Sequence, residues 1–258
     1  MFLSHVRNHL RIVGALIMRE IVTRYGREGL GFLWLVGEPL LFCFGVMGLW
    51  ALIKPEYEHG VRVAPFVMTG YMCLLLFRHT VGYSAGALQA NVGLMHHKKV
   101  RPLHIYISRS VMELAGGTAA FVVVYSVLLI LSAVSLPSDP LLLYYGWIIL
   151  SALSTGFAMT FAALSIRYEV MERLLPVAMY IQIPLSGAFI MVDWVPPNYQ
   201  ALYLLNPLPH TIEMVRAATF GEFVPTHYSL VYPAVWAAGL ILLGLLLLSQ
   251  TQKYLEIE

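Results

Sequence analysis

Charge is what this sequence has least of. Of its 258 residues only 12% are Asp, Glu, Lys or Arg, whereas 59% are hydrophobic; the charged share is about half that of a soluble domain. That balance excludes an ordinary soluble fold and points to an integral membrane protein. A net charge of +2 is too small to mark a nucleic-acid partner. Cysteine is almost missing. Cys43 and Cys73 both fall in apolar runs without metal-ligand spacing, so they read as packing residues and imply neither a disulfide framework nor a metal site.

Catalytic patterns are thin. The phosphate-binding pattern GxxxxGK[ST] does not occur, so ATP hydrolysis of the usual kind is not expected of this chain. HExxH is missing too, and the neighbouring His96 and His97 point apart on a helix. His210 and Glu213 share a helical face at i, i+3, but without further ligands they read as a structural contact rather than a metal site. A secondary transporter would show an internal repeat and more ionisable groups inside its apolar runs.

What is present is a series of apolar runs long enough to cross a bilayer. The expected spans are Phe32–Ile53, Pro65–Ala90, Ser110–Val134, Leu141–Ile166, Leu174–Val192 and Tyr228–Ser249, each near the length a bilayer core requires. Ahead of them, Phe2, Val6, Leu10, Val13, Ile17 and Ile21 recur at helical spacing, which predicts an amphipathic helix in the membrane interface. No small-residue cleavage site follows the first run closely, so a signal peptide is not expected. Lys and Arg sort by side. The expected outer segments hold only Lys54, Arg62 and Arg216, Arg78 lies inside a run, and every other basic residue falls on the inner side. Six spans with both termini in the cytoplasm follow from that bias.

One polar interruption stands out, NVGLMHHKKVRPLHIYISR at 91–109, which carries Lys98, Lys99, Arg101 and Arg109 with no acidic residue. It belongs on the cytoplasmic side. Within it Gly93, Leu94, Met95, His96, His97, Lys98, Lys99 and Val100 are expected to form a short helix stopped by Pro102, placed where a soluble partner can push. A second unusual segment, 193–227, holds an apolar stretch broken by Asn206, Pro207 and Pro209. Two short helices dipping into the outer leaflet fit it if their backbone is buried in protein, and so does a surface cap of two amphipathic helices.

These residues carry a resemblance. RYGREGLGFLW at 24–34, followed by Glu38 and Pro39, and LLNPLPHTIEMVR at 204–216 resemble the membrane subunits of ABC exporters for surface polysaccharides. The second stretch contributes Asn206, Pro207, His210, Glu213 and Arg216. The chain looks most like the capsular polysaccharide export permeases, the KpsM type. The resemblance implies an all-α ABC-2 (type V exporter) fold formed by 1–258 as a single transmembrane domain. Residues 1–30 would be the interface helix, 91–109 the coupling loop and 193–227 the re-entrant or periplasmic helices. It also implies a non-catalytic inner-membrane subunit that works as a homodimer, with no cofactor of its own. ATP and Mg would sit on a separate cytoplasmic ATPase of the KpsT type, and a periplasmic adaptor of the KpsE type would complete the route. The implied cargo is an acidic glycolipid carrying capsular polysaccharide; O-antigen, teichoic acid and drug or lipid permeases are the alternatives.

A sugar polymer needs a wide, wet path lined by flat rings. Trp34, Tyr71, Phe77 and Tyr83, with Glu38, Arg78 and His79, are the expected lining, because ionisable groups inside spans usually mark a pathway, a partner or a buried pair. Pairing of Glu38 with Arg78 is the structural alternative.

Overall fold

The computed structural model describes residues 2–25, 31–84, 86–95 and 100–255. Ten helices account for most of these residues. In order they are α1 (Phe2–Tyr25), α2 (Gly31–Ile53), α3 (Val63–Gly82), α4 (Val92–Met95), α5 (Pro102–Ile130), α6 (Pro140–Arg167), α7 (Glu169–Leu185), α8 (Pro197–Tyr203), α9 (Pro207–Phe220) and α10 (Val231–Leu255). A two-residue hairpin, β1 (Tyr57–Glu58) against β2 (Val61–Arg62), joins α2 to α3.

Local chemistry sets several boundaries. Pro102, Pro140, Pro197 and Pro207 each open a helix, where the missing N–H has no partner to lose and the fixed φ suits the first turn. Asp139 and Asn206 cap α6 and α9 by accepting the N–H of Leu142 at 3.0 Å and of Leu208 at 3.2 Å, which satisfies donors the helix itself cannot.

The centre of the bundle is α3, most of whose residues are buried. It packs against α2, α5, α6, α7 and α9. The most extensive interface, between α6 and α10, depends on small residues. A Cβ on Gly156 would sit 2.7 Å from Leu240 Cβ, and one on Gly244 would sit 2.7 Å from Met159 Cβ, so the two backbones approach as close as glycine permits. Two apolar clusters result: a large one around α3, and a smaller one at one end formed by Leu16, Leu88, Ile105, Tyr106, Met159 and Leu248 with their neighbours.

Among the described residues, four helices are long and apolar enough to cross a membrane: Leu33–Ile53, Pro102–Ile130, Pro140–Arg167 and Val231–Gln250. The other two expected spans are helical but fall short of that standard. Helix α3 carries Arg78 and His79 in its last turns, and α7 has 17 residues. Their ends also differ from the sequence expectation. The second run stops at Gly82 rather than Ala90, so Arg78 lies one turn from a helix end and not at mid-span. The fifth run starts earlier, at Glu169, and ends at Leu185 instead of Val192. Beyond it Gly187 takes φ +85°, a conformation open to glycine that no helix continues through. In α1 the inward face centres on Leu16, with Ile12 beside it, and Val6 and Leu10 of the expected stripe are exposed.

Candidate functional site

A cavity of about 320 Å³ opens between α2 and α3, lined by Glu38, Phe42, Tyr71, Leu75, Arg78, His79, Gly82 and Tyr83. Five of the seven residues expected along a path, namely Glu38, Tyr71, Arg78, His79 and Tyr83, are therefore brought together. Two are not. Phe77 is buried and packs edge-on against Phe157 with ring centres 5.6 Å apart, because it occupies the face of α3 that meets α6. Trp34 is 52% exposed on α2 and is not part of the cavity wall.

The cavity has fixed electrostatics. The Arg78 guanidinium lies over the Tyr180 ring of α7, 5.8 Å from its centre, a cation–π arrangement that steadies it without neutralising it. Glu38 and Arg78 share the wall, yet among the described residues no ion pair joins them. His79 faces Glu113 of α5 at 3.8 Å and stacks obliquely on Tyr83, 5.5 Å between centres. Facing the Glu38 carboxylate of α2, the side formed by α3 and Tyr83 offers a cation, hydroxyls and ring faces, a combination suited to an anionic, hydroxyl-rich molecule.

At the cavity's end of the bundle, α1 is tied to the start of α5 and to the segment between α3 and α5. Arg19 donates to the Asn91 side chain. Glu20 pairs with Arg109 at 2.9 Å, and Arg109 also donates to the Tyr83 carbonyl. His9 Nδ1 and His104 Nε2 are 2.6 Å apart, while His104 Nδ1 accepts the Arg101 N–H at 3.1 Å. Of the expected coupling stretch, Gly93, Leu94 and Met95 belong to the short α4, which spans Val92–Met95, and Val100 precedes α5. Gly93 is exposed, whereas Leu94, Met95 and Val100 pack on the smaller apolar cluster. His96, His97, Lys98 and Lys99 lie outside the described residues, as do residues 26–30 of the first resemblance stretch.

At the opposite end the second resemblance stretch forms a lock. Arg216 is fully buried. One of its nitrogens donates to the carbonyls of Gly187 at 2.7 Å and Ile190 at 3.2 Å and faces Glu213 Oε1 at 3.4 Å; another donates to the Ala188 carbonyl at 2.8 Å. Its plane covers the Phe66 ring at 4.3 Å. Glu213 accepts the N–H of His227 at 3.1 Å and of Val192 at 3.5 Å. Burial pushes its carboxyl up, with Arg216 and these donors opposing. His210 takes the Ser229 N–H on Nδ1 and donates from Nε2 to the Leu204 carbonyl, both at 2.9 Å, and burial lowers its pKa. Asn206 donates to the Leu185 carbonyl at 2.8 Å. Asn206, Pro207, His210, Glu213 and Arg216 therefore start α9 and fasten the loops on either side of it. Gly70 makes room: a Cβ there would stand 2.0 Å from the Ala188 oxygen.

Sequence reasoning missed Glu20 and Arg109 as a pair, and it missed Gly70. Gly82–Gly86 also matches the GxSxG of a hydrolase nucleophile elbow, which requires a strand-to-helix turn and an exposed serine. Here the serine, Ser84, follows a helix, is buried and donates to the Val81 carbonyl at 2.5 Å. The pattern is a helix terminus.

An apolar helical bundle with a charged cavity at one end and a cross-tied segment beside it has the build of a membrane permease. The chain belongs to the ABC-2 type transporter family, whose sequence model matches residues 11–220. It is 32% identical over 246 residues to the capsule polysaccharide export inner-membrane protein CtrC of Neisseria meningitidis serogroup B, covering 95% of this chain and 93% of that protein. To the capsule polysaccharide export inner-membrane protein BexB of Haemophilus influenzae it is 31% identical, with the same coverage. The polysialic acid transport protein KpsM of Escherichia coli is 28% identical over 91% of each chain.

Proposed function

We propose that this chain is the permease subunit of an ATP-driven exporter that moves lipid-linked capsular polysaccharide across the bacterial inner membrane. The reading is carried by the cavity that joins Arg78 to Tyr71, Tyr83, His79 and Glu38, in a chain similar along nearly its whole length to capsule export proteins. The chain is not an enzyme. ATP and Mg act on a separate cytoplasmic ATPase of the KpsT type, and two copies of the permease form the path around a two-fold axis. A periplasmic adaptor of the KpsE type receives the polymer on the far side.

In this reading α2, α3, α5, α6, α7 and α10 are the six spans and both termini are cytoplasmic. Placing α3 in the centre supports its role as a span, since Arg78 and His79 then avoid lipid. The 91–109 segment docks in the ATPase, and α8 with α9 stands at the outer leaflet. Arg78 draws the phosphate or sugar carboxylate of the entering glycolipid and releases it again, since a processive path cannot hold its cargo tightly.

Substitutions at Arg78 test this role. Arg78→Lys keeps the charge and loses only the two-pronged geometry, so part of the surface polymer is retained. Arg78→Glu abolishes export while the complex with the ATPase still purifies, and adding Glu38→Arg does not restore it. Normal export by Arg78→Glu, or rescue by the double substitution, contradicts the role.

A further inference from the structure

Arg109 occupies a position where three separate pieces of chain meet. One end of its guanidinium pairs with Glu20 of α1 at 2.9 Å, with both side chains largely shielded. The other end donates to the carbonyl of Tyr83, the residue that caps the end of α3. Terminal carbonyls of a helix have no partner within it and carry the negative end of its dipole. A guanidinium is the side chain able to satisfy one of them while its other prong holds a carboxylate.

Arg78 and His79 near the end of α3, with Tyr83 capping the helix, form one wall of the cavity. Four residues beyond Arg109 on α5, Glu113 faces His79 at 3.8 Å. The turn of α3 that carries the cavity's cation is therefore gripped from α5 at two levels. At the lower level the same grip extends to α1. On α1 the residue before Glu20, Arg19, holds Asn91, at the start of the segment read above as the ATPase dock.

We propose that Arg109 is a positioning residue that couples the ATPase-facing segment to the cavity, transmitting displacement of α1 and 83–95 to the end of α3 and so to Arg78. The inference rests on the export reading of the cavity. It assigns work to the donation to Tyr83 and not merely to the ion pair, and this distinction makes it testable. In Glu20→Arg/Arg109→Glu the ion pair is re-formed with its sign reversed, but a carboxylate has no proton to give the Tyr83 carbonyl.

The experiment uses the full permease–ATPase complex in lipid nanodiscs, with Tyr71→Cys as the cavity probe and maleimide labelling followed with and without a non-hydrolysable ATP analogue. Native Cys43 and Cys73 are buried and provide the baseline. With Glu20 and Arg109 intact the analogue changes the labelling rate of the probe by about tenfold, within the usual span of allosteric coupling. The charge-swapped complex assembles and hydrolyses ATP, but its probe rate no longer responds, and cells carrying the swap with native Tyr71 lose surface polymer. A nucleotide response fully restored by the swap overturns the proposal, leaving Arg109 as a simple anchor for α1. If the swap fails to assemble, Arg109→Lys decides: its ammonium keeps the charge but cannot span both partners, so a blunted response supports the coupling role and an unchanged response overturns it. No response in the parent complex would refute the export reading of the cavity itself.

Discussion

The two ends of the bundle are held by different kinds of bond. At the end that contains α9, Arg216 and Glu213 are fully buried, and nearly every prong of the pair meets a backbone group of another segment. At the other end each tie includes a side chain with some access to solvent, although Asn91 and His104 are buried: Glu20 to Arg109, Arg19 to Asn91 and His9 to His104. Buried charges with several partners are costly to separate, because either partner left alone stays desolvated. Partly solvated pairs are cheaper, since water replaces what is lost. One end is built to stay shut and the other to shift, as expected of a subunit worked from one side.

The comparison is broken most severely at Gly70. Gly70→Ala drives a methyl to 2.0 Å from the Ala188 carbonyl oxygen and 2.8 Å from the Arg216 guanidinium, which is itself fully buried and held by three backbone carbonyls, so the lock around α9 cannot close. Membrane-inserted, folded protein should fall below detection in size-exclusion profiles of detergent extracts. Arg216→Met follows. It leaves Glu213 buried without its cation, at a cost of about 3–5 kcal/mol, and thermal unfolding in detergent should shift down by several degrees or more. Arg216→Met/Glu213→Leu should recover much of that loss.

Changes at the end that carries α1 and α4 should spare folding and strike transport. Leu94→Asp/Met95→Asp removes apolar surface from the smaller cluster as well as from any docking face, so a modest loss of thermal stability accompanies reduced co-purification with the ATPase. Loss of the ATPase without any stability change would mean that these residues face outward, against their packing here.

The smallest expected effect is a pH dependence at the α9 end. Burial lowers the pKa of His210, whose Nδ1 must stay unprotonated to accept the Ser229 N–H. Below the ordinary histidine value near ~6.5 the unfolded chain binds the proton more readily than the fold does. The stability this residue supplies is therefore complete above that value and lost as pH falls through it toward the lower folded-state pKa. Glu213 acts in the opposite sense, its carboxyl being raised by burial, so the informative quantity is a difference. Melting curves from pH 7.5 to 5.5 should decline more for the parent protein than for His210→Gln.

Much of this was legible in the residues. Asn206 and Pro207 announce the start of α9, Pro140 begins α6, and the apolar runs locate the long helices, because capping and periodicity are local; the start of α5 was misplaced, since Pro102, expected to stop a helix ahead of a span at Ser110, opens α5 itself. Cavity residues on α3 were also recoverable, since Arg78 and His79 are ionisable groups in an apolar run. The end of α7 was not. Gly187 and the residues after it continue the apolar composition, and only their contacts with Arg216 and Glu213 determine that the chain turns there. Nor was the partnership of Glu20 with Arg109, which are far apart in the chain and meet only once α1 has docked on α5. Arg216 reads as an ordinary outer charge until α9 is seen to be enclosed.

Hydrogen exchange on the permease–ATPase complex in nanodiscs, with and without a trapped ATP state, tests the contrast between the two ends most directly, because amide protection follows local opening. The account predicts nucleotide-dependent exchange in α1 and residues 83–95, with α9 equally protected in both states. Nucleotide-dependent exposure of α9, with α1 and 83–95 unchanged, would contradict it.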